Sequence, residues 1–384
     1  MLSLSTYLNN ASSPLKLSKE DKQKLLALDK AYFDIFTDYK QGYDVHTVHN
    51  LDGEFKKFIE ARQRGTKYYP VLIIGENRFN EMGLLDRVNN LIYEFEHFNC
   101  FLSKYYIEIL QDIKTYVIST SDVLVKHALF TEYRKQTPSM INYELAKKCL
   151  RDHPYVNIKD DRTLDANKCA EELRNHINEL GYDWKVQVDD NMIPRVCVTT
   201  DGFVKVNKTA SFSEVDIESL KAHEIDGHVG RRFYGKKTGL YLFLTGLRWR
   251  NTLDEGLAIW NSIHKCNPPK PNVYFNIALK TIIAYQLDKK DFCELFDMVR
   301  GLSEDISDEA IFKALIRYKR ELRYCILPGG NGDDMSYFCG YQIVKKMTDK
   351  ERDDILKYNI GPDQIPELPK IKLFLNLNKF DPLI

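Results

Sequence analysis

The first 150 residues carry apolar side chains mainly at helical spacing. The pattern predicts a helix at 25–33, and from 79 to 149 it stays helical with one break near Pro138. Residues 1–150 therefore form a predicted helical N-terminal region. Within it, residues 1–50 are an extension to which the sequence assigns no role.

A polar stretch at 152–162 is the best candidate for a domain boundary. Beyond it, residues 164–180 have the pattern of a helix that Gly181 ends. We predict that residues 151–384 form a second domain, which carries the chemistry described below. This domain is expected to pack with the first region as one unit.

The hydrophobic period changes to two after this helix. Residues 184–188 are a predicted strand, and 195–199 and 203–206 are two more, separated by a Thr-Asp-Gly turn at 200–202 that is typical of a hairpin. We therefore expect a small antiparallel sheet. The predicted fold class is α+β and mainly helical.

The charge balance limits the classes of partner. The 384 residues include 55 Lys and Arg against 55 Asp and Glu, so no global field attracts nucleic acid or an anionic membrane. Paired lysines are scattered and form no basic stripe. No apolar stretch approaches the roughly 20 residues that a membrane span needs. The sequence thus predicts neither a nucleic-acid nor a membrane partner.

The N-terminus and the cysteines indicate a reducing compartment. Residues 1–5 lack the basic segment and the long apolar run of a signal peptide. The eight cysteines are spaced too widely for a zinc ribbon or a CxxC redox motif. A cytoplasmic protein with buried thiols is the expectation.

The candidate chemistry lies on a helix predicted from about Glu214 to Arg232. Two serines before it are each followed three residues later by an acid, which is the arrangement of a capping box. The helix contains His223, Glu224 and His228. Two neutral imidazoles can bind zinc, and an intervening carboxylate can act as the base on a water molecule. These residues therefore predict a catalytic zinc site.

The spacing of the two histidines predicts an irregular helix. Residues five apart on a regular α-helix point roughly 140° away from each other, so the rings of His223 and His228 would not converge on one ion. One inserted residue, a π-bulge, would restore convergence, and such bulges are frequent at functional sites. Gly227 is a plausible place for it.

A third metal ligand is expected downstream. Asp254 and Glu255 open an otherwise apolar helical segment, and a carboxylate on a second helix would complete a site with two histidines. Two acids at a helix start can also serve only to offset the helix dipole. His264 is the second choice for this ligand. His46 and His49 lie three apart without a third ligand nearby, which favours a solvated pair.

These residues resemble the tyrosine carboxypeptidase family, which includes the microtubule-associated enzyme that detyrosinates tubulin and bacterial proteins with a QEGLA motif. The similarity lies in His-Glu-Ile-x-x-His-x-x-Arg at 223–231 and Glu-Gly-Leu-Ala at 255–258. The approach at 212–220 and the segment at 329–337 are also similar. The resemblance spans roughly residues 70–350 and is strongest around the two motifs.

The resemblance implies a zinc metallopeptidase with one zinc ion per chain, bound by His223, His228 and Glu255 from two helices. It implies that Glu224 is the catalytic base. The enzyme would remove one C-terminal residue, Tyr or Phe, from a protein or peptide, and tubulin is suggested as a substrate on the same ground alone. Asp254 stands where many members have Glu or Gln, a departure at a position next to the ligand.

A substrate carboxylate also needs a cation, because its desolvation is otherwise costly. Arg231, at the position of the family's arginine, could meet this carboxylate or orient the group that does. The candidates are Arg231, Arg232, Arg248 and Arg250. Tyr337 is expected to donate a hydrogen bond to the oxyanion. The strand ending at Val206 could pair an exposed edge with an extended substrate.

Two alternatives remain open at this point. The spacing His-Glu-x-x-Gly-His also resembles dipeptidyl-peptidase III, which removes dipeptides from N-termini, although the downstream Glu-Gly-Leu-Ala fits the carboxypeptidase pattern better. The other alternative is a catalytically silent binding module in which the histidines merely pack. The intact Glu224 argues against it, because a structural zinc site prefers four protein ligands and needs no base.

Overall fold

The computed structural model describes residues 14–42, 48–121, 139–157, 161–190, 192, 194–319 and 324–383. Most of these residues are helical. The α-helices, in chain order, are α1 Lys19–Gln41, α2 Leu51–Gln63, α3 Leu84–Glu96, α4 Ser103–Ser121, α5 Met140–Asp152, α6 Ala166–Leu180, α7 Glu214–Leu220, α8 Gly230–Lys237, α9 Tyr241–Thr245, α10 Arg250–His264, α11 Val273–Gln286, α12 Phe292–Arg300, α13 Asp308–Lys319, α14 Ser336–Val344, α15 Asp349–Tyr358 and α16 Leu368–Asn378.

Shorter helical segments complete the fold. A π-helix at Lys221–Val229 joins α7 to α8, and 3₁₀ turns cover Asp333–Met335 and Pro362–Glu367. None of the helices in the described ranges is both long enough and apolar enough to cross a membrane. The predicted break near Pro138 lies outside the described residues, as does His46.

Local sequence signals set the ends of the helices before the site. The side chain of Asp165 accepts a hydrogen bond from the backbone of Lys168 at the start of α6. Gly181 ends that helix in the left-handed conformation, with φ of 69°. Ser213 and Asp216 form the capping box that starts α7. The predicted helix at 164–180 and the predicted capping box are both confirmed.

The three strands form a mixed sheet in the order β1-β3-β2, with β1 at Lys185–Asp189, β2 at Val196–Val198 and β3 at Phe203–Asn207. The hairpin of β2 and β3 is antiparallel, as expected. However, β1 is parallel to β3, so the expectation of an antiparallel sheet is wrong for this pair. β3 therefore lies between β1 and β2. The period of two along the sequence does not show that β1 pairs with β3.

This strand order also removes an expected binding edge. Because β3 is the central strand, its backbone is paired on both sides. The prediction that the strand ending at Val206 offers a free edge to a substrate is therefore wrong. Within this sheet only the outer strands, β1 and β2, have an unpaired side.

The largest apolar core joins helices from both sides of the candidate domain boundary. Leu25 and Tyr32 of α1 and Tyr106 of α4 are fully buried in it, together with Phe243 of α9 and Phe374 of α16. Tyr32 and Tyr106 meet edge to face at 5.3 Å between ring centroids. The N-terminal helices thus share one core with the helices that follow the site.

Glycines allow the helices around the site to approach closely. A Cβ atom at Gly227 of the π-helix would lie 3.0 Å from the Cβ of Ala258 on α10. A Cβ atom at Gly256 would lie 2.6 Å from the carbonyl oxygen of Gly340 on α14. Helix α10 is therefore packed tightly between the π-helix and α14.

Candidate metal centre

The π-helix Lys221–Val229 brings the two motif histidines together. Its backbone hydrogen bonds run between residues five apart, so such residues lie along one face. The ring centroids of His223 and His228 are 5.0 Å apart. The predicted wide turn is confirmed, although the whole segment is π-helical and the widening is not limited to one bulge at Gly227.

Three ligand atoms converge between the π-helix and α10. Nε2 of His223 lies 3.5 Å from Oε2 of Glu255, and Nε2 of His228 lies 3.7 Å from the same oxygen. One potential ligand atom from each residue lies within 4.8 Å of the other two. The structure thus brings together the three residues that the sequence offered as ligands.

This geometry fits a zinc ion. Zinc bonds of about 2.0–2.2 Å in a tetrahedron separate neighbouring ligand atoms by about 3.4 Å, close to the 3.5 and 3.7 Å between Glu255 and the two histidines. Oε2 of Glu255 is buried, and within the described part of the chain no donor hydrogen-bonds to it. An unpaired buried carboxylate oxygen is costly, and a metal ion would satisfy it. Two imidazoles and one carboxylate also leave a fourth position open, as catalytic zinc sites do.

Asp254 contacts the opposite side of the second histidine. Its Oδ1 lies 2.9 Å from Nδ1 of His228 and 3.8 Å from Nε of Arg231. Burial alone would lower the pKa of His228, but the carboxylates of Asp254 and Glu255 outweigh it and raise the pKa to about 10. Burial opposes the ionisation of Glu255, yet His228 and His223 bring its pKa well below the usual range. The carboxylates of Asp254 and Glu255 therefore favour positive charge at this place.

Glu224 follows the first histidine on the π-helix and is partly exposed. Its carboxylate is close enough to β2 to affect Cys197, because burial raises the pKa of that thiol and the charge on Glu224 adds to the increase. The carboxylate thus lies within electrostatic range of β2. A group in this position can exchange protons with solvent or with a molecule bound beside it.

Two of the arginines offered for the substrate carboxylate are buried beneath the site. Arg231 has no exposed surface, and its Nη2 donates to the carbonyl oxygen of Ile360 at 2.8 Å. Arg232 is buried as well, and its Nη1 donates to the carbonyl oxygen of His228 at 3.1 Å. Both guanidinium groups therefore support the protein scaffold around the π-helix.

The other two arginines face carboxylates of the protein. Nε and Nη2 of Arg248 donate to the two carboxylate oxygens of Asp112 at 2.8 and 2.9 Å. Nη1 of Arg250 lies 3.6 Å from Oδ2 of Asp254. The bidentate pair of Arg248 is of the strong kind, whereas Arg250 makes a looser ion pair with Asp254.

Tyr337 on α14 lies against the metal-binding group. Its ring is nearly parallel to that of His223, with 6.2 Å between centroids. Burial and the charge on Glu255 raise the pKa of Tyr337 well above its ordinary value, so the hydroxyl keeps its proton and can donate it in a hydrogen bond. The structure therefore places this predicted residue beside the ligands.

Sequence reasoning missed Lys280 on α11. Its Nζ lies 3.2 Å from the centroid of the Tyr337 ring. The segment 273–286 contains no other charged residue, and a single lysine in so apolar a helix is the signal that could have pointed to it.

Two other histidines lie away from the three convergent residues. His264 is exposed, makes a 2.9 Å contact from Nδ1 to the carbonyl oxygen of Trp260 and stacks on that indole ring. The backbone of His49 donates to the carbonyl oxygen of Ile73 at 2.8 Å. Neither belongs to the group of candidate ligands.

Comparison with solved structures gives only distant similarities. A lipoprotein from Colwellia psychrerythraea is 12% identical with a TM-score of 0.40, and the match covers 96% of this chain and 77% of that one. A structure named BsuCP is 15% identical with a TM-score of 0.35 and covers 92% and 91% of the two chains. Both TM-scores are too low to support an inference about this chain.

Comparison with protein families gives a clear result, whereas no curated protein sequence matches the chain. Residues 119–357, more than half of the chain, match the family described as microtubule-associated tyrosine carboxypeptidase. The matched segment includes the π-helix with its two histidines, Glu255 and Tyr337. The chain therefore belongs to the microtubule-associated tyrosine carboxypeptidase family.

Proposed function

We propose that the protein is a zinc-dependent metallocarboxypeptidase that hydrolyses the C-terminal peptide bond of a protein or peptide and releases Tyr or Phe. The observation that carries this proposal is the convergence of His223, His228 and Glu255 on one point, in a chain of a tyrosine carboxypeptidase family. These three residues would bind one zinc ion per chain. Tubulin is a candidate protein substrate because of the family alone.

The proposed roles follow from the positions of the side chains. When bound, zinc supplies a Lewis acid that polarises the scissile carbonyl and acidifies water. Glu224 would take a proton from the attacking water and return it to the leaving amine. The raised pKa of Tyr337 supports a role as hydrogen-bond donor to the oxyanion, because the hydroxyl stays protonated.

Arg231 is proposed to act through its neighbours. Its side chain has no exposed surface, and its Nε lies 3.8 Å from Oδ1 of Asp254, which in turn contacts His228. A buried cation at this place favours the ionised form of Asp254 and so supports the orientation of the ligand. Arg231 would thus orient another group, and would not contact the substrate carboxylate itself.

The two sequence regions are proposed to work as one unit. The apolar core shared by Leu25 of α1, Phe243 of α9 and Phe374 of α16 supports this, since separate domains would have separate cores. Residues 151–384 would then depend on the N-terminal helices for stability.

The decisive experiment uses peptides that differ only at the C-terminus. We expect the zinc-loaded protein to release Tyr or Phe from peptides with a free carboxylate and to act poorly on the matching C-terminal amides. Mass spectrometry of the products reports which bond is cut. The Glu224→Gln protein, prepared in the same way, controls for contaminating peptidases.

Other products would support other functions. Release of N-terminal dipeptides would favour an enzyme like dipeptidyl-peptidase III. Stoichiometric zinc without cleavage of any peptide would favour a binding module. Equal cleavage of acids and amides would contradict a carboxypeptidase.

A further inference from the structure

A carboxypeptidase needs a cation that the four predicted arginines do not readily provide. Arg231 and Arg232 are buried and donate to backbone carbonyls, while Arg248 and Arg250 face carboxylates of the protein. The terminal carboxylate of a substrate must still lose its water at the site, which is costly without a positive charge. The need for this cation rests on the proposed function, since only a carboxypeptidase must bind the terminal carboxylate.

Lys280 lies where its ammonium could bind the carboxylate of a substrate. Its Nζ lies over the ring of Tyr337, which itself lies parallel to the ring of His223. Burial lowers the pKa of Lys280, while the negative charges of Asp334 and, more weakly, Glu255 raise it. In the described ranges, no carboxylate lies within ion-pair distance of Nζ.

Arg317, another cation whose charge acts on Tyr337, is already paired. Asp334 contacts Arg317 in a bidentate arrangement, with Nε 2.8 Å from Oδ2 and Nη2 donating to Oδ1 at 2.9 Å. Arg317 therefore occupies the carboxylate of Asp334, whose charge also acts on Lys280. Lys280 is partly buried, and its ammonium is left with an aromatic face as its neighbour.

We propose that Lys280 binds the C-terminal carboxylate of the substrate, with the ring of Tyr337 positioning its ammonium. The ammonium of Lys280 has no carboxylate as a partner among the described residues, and the terminal carboxylate of a bound substrate would supply one. Burial lowers the pKa of Lys280 to about 8, so most of the side chains still carry the charge at neutral pH. The specificity for a free C-terminus would then come from α11, outside the two motif helices.

Lys280→Met tests this proposal, because methionine keeps an unbranched apolar side chain and removes the charge. We expect kcat/KM for a peptide ending in free Tyr to fall about 10²-fold or more, and the preference for acid over amide to collapse. Lys280→Arg should recover part of the preference. Lys289→Met is the matched control, because Lys289 lies 3.6 Å over the ring of Tyr285 but away from the ligands.

A binding measurement separates recognition from chemistry. In the Glu224→Gln background, calorimetry should show that an N-acetylated peptide ending in Tyr binds more tightly as the acid than as the amide. Adding Lys280→Met should abolish this difference, with unchanged zinc content and circular dichroism. Lys280→Gln replaces the methionine variant if the latter does not fold.

The outcomes distinguish the two proposals. If the wild-type protein releases no C-terminal residue, the proposed function fails, whatever Lys280 does. If the wild type prefers acids and the folded Lys280 variants keep the same preference in cleavage and in binding, the proposal for Lys280 is overturned while the proposed function stands.

Discussion

Nδ1 of His228 lies 2.9 Å from Oδ1 of Asp254, on the side of the ring opposite to the convergent ligand atoms. A carboxylate in this place favours the tautomer that has its proton on Nδ1 and leaves Nε2 free for a metal. Two consecutive residues of α10 thus face the candidate metal centre differently. Glu255 contributes one of the three convergent atoms, whereas Asp254 contacts the far side of His228.

Replacing Asp254 by Asn should weaken zinc binding. An amide cannot attract the Nδ1 proton as a carboxylate does, so we expect the zinc affinity to fall about 10-fold to 100-fold. Competition with a fluorescent chelator measures this affinity on the folded protein. Asp353→Asn is the matched control, because Asp353 is a surface aspartate that pairs with Lys357 on α15. Equal affinities of the two variants would show that Asp254 does not orient the ligand.

Replacing Glu224 by Gln should remove turnover but keep the metal. The amide matches the carboxylate in shape and cannot accept a proton, and loss of a general base commonly costs roughly 10²-fold to 10⁴-fold in rate. Elemental analysis checks the zinc content and peptide assays check the rate. Turnover close to that of the wild type with zinc bound would assign the proton transfer to another group.

The sequence pointed to the three residues of the candidate metal centre because the motif histidines and Glu255 lie in short local patterns. Five-residue separation of two histidines required a wide helix turn, and the structure contains a π-helix there. The same reasoning could not predict the partner of β1, since strand pairing depends on contacts between distant segments. The sheet was therefore expected to be antiparallel and is mixed.

The environment of the site was less accessible to sequence reasoning than its ligands. Asp254 was expected only as a departure next to the ligand or as an acid that offsets the helix dipole, because its contact with His228 depends on how two helices pack. Lys280 was missed because it comes from a helix 25 residues after Glu255 and bears no motif. The burial of Arg231 favours the second role offered for it, that of orienting another group, over direct contact with the substrate carboxylate.

Adding a methyl group to Gly340 should disturb the support of Glu255. A Cβ there would lie 1.8 Å from the carbonyl oxygen of Thr252, so α14 and α10 would have to separate. We expect Gly340→Ala to lower the free energy of unfolding by at least about 1–3 kcal/mol, the usual cost of overpacking. Urea denaturation measures this loss.

Gly53→Ala is the control for that substitution. Gly53 lies in α2, and a Cβ atom there would have no neighbour within 4 Å. Alanine should stabilise this helix by about 0.5–1 kcal/mol. Gly340→Ala with stability equal to the wild type would mean that the close approach of the two helices is not needed.

The buried carboxylate of Asp29 should make the free energy of unfolding depend on pH. This effect is separate from the candidate metal centre. Its carboxylate accepts hydrogen bonds from the hydroxyl of Tyr106 and from the backbone of Tyr241 and Leu242, at the start of α9. Burial outweighs these bonds and raises the pKa of Asp29 from 3.8 to about 6. The folded protein therefore binds more protons at this group than the unfolded chain does between about pH 4 and pH 6.

The sign of the effect follows from this difference in proton binding. Stabilisation by protonated Asp29 is fully present below about pH 4, where both states are protonated, and it is lost as the pH rises to about 6, by at most about 3 kcal/mol. Asp29→Asn has no proton to bind, so its own hydrogen-bonding cost is the same at every pH. The free energy of unfolding of the wild type relative to this variant, measured in urea, should decrease from pH 4 to pH 6 and then level off. A constant difference between the two proteins across this range would mean that Asp29 titrates alike in the folded and unfolded states.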